Sequence, residues 1–187
     1  MHSDNGRLAR IRKSWTLALS MAVLAGAILS GPLTGSAQAQ ANATETTGSP
    51  EVIDADVLKF GTQRVILWGV DAPEKNQTCQ MNGQLWGCYD ASFRYLQLLA
   101  GRGEVTCTYK SEPDPFGRRF GVCTSGGEDL NAEMVKAGMA LAFDEQAEDY
   151  DAAMADAITA AVGLWQPGVK FEEPWKFRRR ETPGGYR

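Results

Sequence analysis

Histidine is almost missing from this 187-residue chain; the only one is His2. Should the N-terminus be removed, the mature protein has none, which excludes Ser-His-Asp and Cys-His catalysis and histidine-ligated zinc. No C-x-x-C pair occurs either, so a thiolate zinc site has no support. No apolar run reaches the ~20 residues that span a bilayer; residues 15–30 give an uncharged run of only 16. An excess of positive charge is also lacking. The net charge is −4, and residues 40–187 carry 15 cations against 22 acids. A protein that coats polyanions by counterion release alone needs a basic surface, so that class is excluded.

What is present begins with an export signal. Arg7, Arg10, Arg12 and Lys13 precede the apolar run, Gly31-Pro32 ends it, and Ala37-Gln38-Ala39 has the small-x-small form of a cleavage site. Residues 1–39 therefore read as a signal peptide, with cleavage after Ala41 nearly as good. The mature protein is expected in a periplasm or outside the cell, without a stable membrane anchor and as a monomer. All four cysteines lie beyond this segment, and an even count in an exported protein implies disulfides. Cys107 and Cys123 sit in two strand-like runs either side of a turn, which favours pairing them and leaves Cys79 with Cys88.

Residues 40–49 are small and polar and read as a disordered leader. Strand patterns follow at 51–60 and 63–70, separated by Gly61-Thr62 in hairpin position. Residues 75–87 read as a loop. Tyr89, Phe93, Leu96 and Leu99 recur at helical spacing over 88–100, with Gly101 closing the segment. Residues 104–109 and 118–124 alternate as strands. Asp129 is placed to cap a helix carrying Leu130, Met134 and Val135, and Tyr150 to Ala161 mark a last amphipathic helix. The main domain is expected over 50–166, and a Pro-, aromatic- and Arg-rich tail over 167–187. Short strands with interspersed helices suit a small Greek-key barrel, an OB-like α+β domain.

Two runs carry candidate chemistry. The first joins V-I-D-A-D-V-L (52–58) to R-V-I-L-W-G-V-D-A-P-E (64–74). Asp54 and Asp56 are two apart and so share one side of an extended chain, and Asp71 and Glu74 stand at the end of the next strand. Four acids near adjacent strand ends can bind one hard cation through oxygen and leave one carboxylate as a base. The second run is D-P-F-G-R-R (114–119), where an arginine follows a tight glycine turn and can fork onto a phosphate. Arg178-Arg179-Arg180 reads as a solvated terminal run, with Glu172, Glu173 and Glu181 beside it. Trp165, Trp175 and Phe177 read as packing of the tail onto the barrel.

These runs, with D-L-N-A-E-M-V-K-A-G-M-A and G-L-W, resemble in order and spacing the thermonuclease (staphylococcal-nuclease-like) family over about residues 50–180. The resemblance implies a five-stranded OB-fold β-barrel with three α-helices and calcium-dependent hydrolysis of DNA and RNA. By position it makes Asp56 and Asp71 the metal carboxylates, the Ala72 backbone carbonyl a third ligand and Asp54 an outer-shell support. Glu74 becomes the base that activates water, and Arg118 stabilises the leaving group or the developing charge.

The sequence also departs from the family pattern. Ile66 stands where a second phosphate-binding arginine is usual, and Arg64, about 6–7 Å away along the strand, is the candidate substitute. The family's D-G-D-T turn reads Asp54-Ala55-Asp56-Val57, which carries strain if φ is positive at Ala55. Phe143 and Glu145 replace residues that hold the nucleotide, and Asp144 and Glu145 repel phosphate. Two functions follow: an exported calcium-dependent nuclease, weak for want of that arginine, or a non-catalytic binding or scaffold domain of the cell envelope.

Overall fold

The computed structural model describes residues 43–182; the expected signal peptide lies outside them. The alternating apolar runs form one mixed sheet with strand order β1 (Glu45–Gly48), β8 (Val105–Tyr109), β9 (Arg118–Ser125), β4 (Gln63–Leu67), β3 (Val57–Phe60), β2 (Glu51–Asp54), while β10 (Glu128–Asp129) pairs with β9. Gly61 takes φ +59° in the two-residue turn between β3 and β4, a left-handed conformation that glycine adopts without a side-chain clash. β4 runs parallel to β9, which sets Arg64 opposite Arg118 and Ile66 opposite Phe120. The sheet curls into a half-barrel, so that a Cβ added to Gly48 on β1 would stand 3.8 Å from the Phe60 ring on β3.

Helix α1 (Cys88–Ala100) turns Leu96 and Leu99 into the barrel, and α2 (Leu130–Lys136) closes its mouth with Leu130, Met134 and Val135. Asp129 caps α2 by accepting from the Ala132 N–H at 3.1 Å. Buried Asn131 locks α2 to the barrel. Its Nδ2 donates to the Trp68 and Gly121 carbonyls, and its Oδ1 accepts from the Cys123 N–H. Helix α3 (Asp151–Ala160) leads to a 3₁₀ turn (Gly163–Trp165), whose backbone presses on Gly138 so closely that a Cβ there would collide with the Val162 carbonyl. β5 (Val70–Asp71) pairs with β11 (Leu141–Ala142).

The architecture is α+β and OB-like, with differences in count from the expected five strands and three helices. Residues 75–87 are more than a loop. β6 (Cys79–Met81) and β7 (Gln84–Trp86) form a hairpin around Asn82 (φ +52°) and Gly83 (φ +81°), and Asn-Gly is the residue pair that such turns select. Residues 45–48 of the expected leader form β1 on β8. The tail is structured: β12 (Val169–Lys170) pairs with β6, and a fourth α-helix among the described residues, α4 (Pro174–Glu181), follows. Its first position is proline, which suits a helix N-terminus because the missing N–H has no intrahelical partner there. Ala55 is not among the residues with positive φ, so the expected strain is absent.

The disulfides are Cys79–Cys88 and Cys107–Cys123. The second joins adjacent strands inside the barrel core. The first belongs to a separate apolar cluster with Leu141 and Leu164, against which Trp86, Trp165, Phe171 and Trp175 pack. No helix among the described residues is long and apolar enough to cross a membrane.

Candidate active site

A cleft of about 160 Å³ opens beside the β2–β3 turn and the segment that follows β5, lined by Asp54, Asp56, Val57, Ile66, Glu74, Arg118 and Arg178. The short β2–β3 connection brings Asp54 and Asp56 to it. Asp54 folds back to accept from the Ala55 N–H at 2.8 Å. Burial, then the charge of Asp56, pushes the Asp54 carboxyl above its ordinary range, while the Tyr89 hydroxyl bonds to it and opposes the rise. Burial and the same Asp54 charge push Tyr89 up to about 12.

Asp71 ends β5 fully buried, and Glu74 stands three residues on, after buried Ala72 and Pro73. Gln77 fixes the turn after the strand. Its backbone N–H donates to the Glu74 carbonyl at 2.7 Å, and its side-chain oxygen accepts from the Glu74 N–H at 3.1 Å. Burial raises Glu74 to about 7; the Arg178 charge lowers it only in part, and Asp56 and Asp71 add to the rise. A carboxylate poised near neutrality can take up a proton in the working pH range.

Arg118 reaches the cleft from the start of β9. The turn before it is organised by Asp114, whose Oδ1 accepts from the Phe116 and Arg118 N–H groups and whose Oδ2 accepts from Arg118 Nε at 2.7 Å. Burial works against the Asp114 charge, but these bonds hold its carboxyl below the usual range. The Phe116 ring lies 5.3 Å from the same guanidinium. The arginine is thus held in place by its own turn.

Arg178, read from the sequence as a solvated terminal residue, is a correction. It enters the cleft from α4. Its Nη1 and Nη2 bond to Asp71 Oδ1 and Oδ2 at 3.3 and 2.9 Å, and Nη1 also bonds to Glu74 Oε1. Burial works against the guanidinium charge, and the Asp71 and Glu74 carboxylates more than restore it, so its pKa rises above the ordinary value.

The structure places the other sequence candidates differently. Ile66 is buried and lines the cleft, whereas Arg64 is exposed and does not. Phe143 and Glu145 face the tail: Phe143 packs on Trp175 with ring centroids 5.4 Å apart, and Glu145 pairs with Arg179 at 3.7 Å. The latter is an exposed pair of small energetic consequence. Glu172 and Glu173, beside the arginine run, pair with Arg180 and Lys176.

The donors at the cleft are carboxylate oxygens, the kind a hard divalent cation takes. Among the described residues no three His, Cys, Asp or Glu side chains are gathered into a cage, and the positive charge at Asp71 and Glu74 is that of Arg178. The oxygen donors are of the kind that suits a hard divalent cation, while both Asp71 oxygens are taken by the Arg178 guanidinium.

Comparison with known proteins bears on the whole arrangement. A family model described as "Staphylococcal nuclease homologue" matches residues 64–167. The chain is 30% identical over 122 residues to "Succinoglycan biosynthesis protein ExoI" of Rhizobium meliloti (strain 1021), covering 64% of each chain, just under two thirds of that relative. It is 31% identical over 138 residues to an "Uncharacterized endonuclease" of Haemophilus influenzae (strain ATCC 51907 / DSM 11121 / KW20 / Rd), covering 70% of this chain and 71% of the relative.

Proposed function

The chain belongs to the staphylococcal nuclease family, and on that premise we propose that it is an exported monomeric phosphodiesterase that hydrolyses DNA and RNA with calcium. The observation that carries this reading is the meeting, in one cleft, of a carboxylate poised near pH 7 with two arginines. Glu74 takes a proton from a water whose oxygen bonds to phosphorus. The phosphorus–oxygen bond to the sugar breaks, and the leaving oxygen departs with the bonding pair and takes a proton from solvent. Arg118 donates to the phosphoryl or leaving oxygen as its charge grows. A calcium ion bound by Asp56 and Asp71, with the Ala72 carbonyl and Asp54 beside it, would polarise the phosphoryl oxygen. Export is supported by the N-terminal signal pattern and by the two disulfides.

A binding or scaffold domain without turnover is the second reading, favoured by one observation: Phe143 and Glu145 serve the tail and not the cleft. Degradation of single-stranded DNA by the purified protein, with calcium and with chelator, separates the two. Calcium-dependent cleavage supports the nuclease. Intact DNA under both conditions supports the scaffold. A calcium-dependent rise in melting temperature that Asp71→Asn abolishes would support the metal assignment independently, because any ligand that prefers the folded state stabilises it.

A further inference from the structure

The phosphoryl anion of a substrate faces an electrostatic obstacle in this cleft. Asp54, Asp56 and Glu74 line it and Asp71 lies behind, so an unscreened phosphate would be repelled. Arg118 is the cation that the barrel itself provides to the lining. The β4 wall offers Ile66, which has neither charge nor donor, and Arg64 stands outside. The second lining cation is Arg178, which comes from the far end of the chain.

The segment that delivers it is built into the fold. β12 pairs with the β6 strand that Cys79–Cys88 pins to α1. Buried Gln77, whose side chain and backbone hold Glu74, also donates from Nε2 to the Glu172 carbonyl at 2.5 Å. Pro174 is buried, and Trp175 rests on Phe143 one turn before Arg178. Residues 175 and 178 share a helix face, so the contact that seats α4 also aims the arginine. Arg178 makes three bonds, two from Nη1 and one from Nη2. Of the five N–H donors of a guanidinium, Nε–H and the second Nη2–H are spare. A planar fork that is oriented by buried Asp71 and half-buried Glu74 and still holds donors is suited to a phosphate.

We infer that Arg178 is a substrate-binding catalytic residue of this nuclease site, holding the phosphoryl oxygens opposite Arg118 in the space that Ile66 leaves without a cation. The inference rests on the proposed nuclease function and adds the C-terminal helix to the active site. Asp71 and Glu74 hold the guanidinium before metal and substrate arrive. Once Asp71 takes up a cation, part of the fork is released, and the incoming phosphate takes it together with the spare donors.

The test uses the whole exported chain and four variants, Arg178→Met, Arg178→Lys, the double change Ile66→Arg with Arg178→Met, and Arg180→Met as a tail control. Binding of a short single-stranded DNA is measured in chelator, and single-turnover cleavage in calcium. Arg178→Met is expected to lose ~10²–10³-fold in cleavage, the scale of one lost charge-stabilising donor, and at least about tenfold in binding. Lysine keeps the charge without the fork, so Arg178→Lys should recover only part of this. The double variant should regain at least about tenfold over Arg178→Met, because the new arginine enters the same cleft. Arg180→Met should match the parent.

If Arg178→Met and Arg178→Lys both cleave and bind within about threefold of a parent that is active, the assignment is overturned and the nuclease reading stands. Faster cleavage by Arg178→Met at limiting calcium also overturns it, since Arg178 would then be a plug. Should Arg178→Met fail to fold, a loss below about threefold in Arg178→Lys overturns the assignment by itself. If the parent is inert but its DNA binding depends on Arg178, the nuclease reading fails and the phosphate contact survives. Inertness with binding indifferent to Arg178 sinks both.

Discussion

Asp54, Asp56, Asp71 and Glu74 come from a single stretch that runs from the end of β2 through β3, β4 and β5 to the turn beyond, whereas the guanidinium that meets Glu74 comes from 104 residues further along the chain. The two regions are stabilised differently. The barrel buries Leu58, Val65, Leu67, Leu96, Leu99 and Leu130 around one core. The C-terminal segment rests on a small satellite cluster, a two-residue strand pairing, one disulfide and the bond from Gln77 to Glu172. A site split in this way has its acids fixed by the fold and its cation fixed by an attachment. The attachment can therefore be loosened without dissolving the barrel, and substitutions on either side should separate the two contributions.

The largest effect should come from the barrel half. Glu74→Gln keeps the shape of the side chain and can still accept from Arg178, but it cannot take up a proton. Single-turnover cleavage of single-stranded DNA should fall ~10²–10⁴-fold, the usual range for a lost general base. DNA binding should be unchanged or tighter, because one negative charge has left the cleft. A rate within threefold of the parent would remove Glu74 from the proposed chemistry.

Removing the two disulfides separately probes the attachment directly. The Cys79–Cys88 and Cys107–Cys123 bridges span 9 and 16 residues, and the chain-entropy model gives each about 3 kcal/mol. Denaturation of Cys79→Ala/Cys88→Ala and of Cys107→Ala/Cys123→Ala should therefore show similar losses. Activity, measured well below both melting temperatures, should diverge. Loss of the β6 pin frees the strand on which β12 docks and lowers cleavage by about tenfold or more, whereas loss of the barrel bridge leaves it nearly intact. Equal activity in the two pairs would mean that the tail is held without its disulfide.

The pH profile offers a third, smaller contrast. As the proposed base, Glu74 can act only when ionised, and its pKa is raised to about 7 in the metal-free cleft. Cleavage in calcium should therefore climb about tenfold per pH unit up to a bend at or below 7, because the cation's charge draws the carboxyl down, and level off above it. Glu74→Gln should remove the climb. Stability should run the other way. The folded state keeps a proton on Glu74 between pH 4.5 and about 7 that the unfolded chain has already lost. The contribution of Glu74 to stability is thus fully present below 4.5 and is lost as pH rises through 7. Melting curves of the parent and Glu74→Gln across that window check the sign.

How far this site could be read from the sequence follows the same division. The Asp54 to Glu74 stretch is legible because its acids are close in sequence and stand at strand ends. The Gly61-Thr62 hairpin is marked, but the turn at Ala55-Asp56, which splits the expected strand 51–60 into β2 and β3, is not. Arg118 is legible because its turn carries Asp114 and Gly117. The β6–β7 hairpin had a signal as well, Asn82-Gly83, within a stretch whose polarity reads as a loop. Arg178 had a weaker one. Pro174 followed by Trp175 and Arg178 at helical spacing announces a helix with an aromatic and a basic residue on one face, but nothing local says what that face covers. Likewise, Phe143 and Glu145 read as losses from a nucleotide pocket until Trp175 and Arg179 are seen against them. Long-range docking of a short helix is decided by complementary surfaces, and a linear pattern holds only one of the two.

The smallest effect, and the sharpest test of the comparison, is Ile66→Arg in the otherwise unchanged protein. Read from the sequence alone, this change restores a missing arginine and raises the rate ~10²-fold. The structure reduces that expectation. Ile66 lines the same cleft as Arg178, so a second guanidinium would enter a space that already holds one beside Arg118. The four acids of the cleft make a third cation tolerable, but the phosphate gains little from it, and the two neighbouring guanidinium groups repel each other. Exchanging a buried isoleucine for arginine also disturbs the packing of β4 unless the whole side chain extends into the cleft. Single-turnover cleavage should therefore change by less than about tenfold in either direction, with DNA binding slightly tighter and more salt-dependent from the added charge. A gain near 10²-fold would show that the cleft lacked its cation, and that the C-terminal helix contributes none to the reaction.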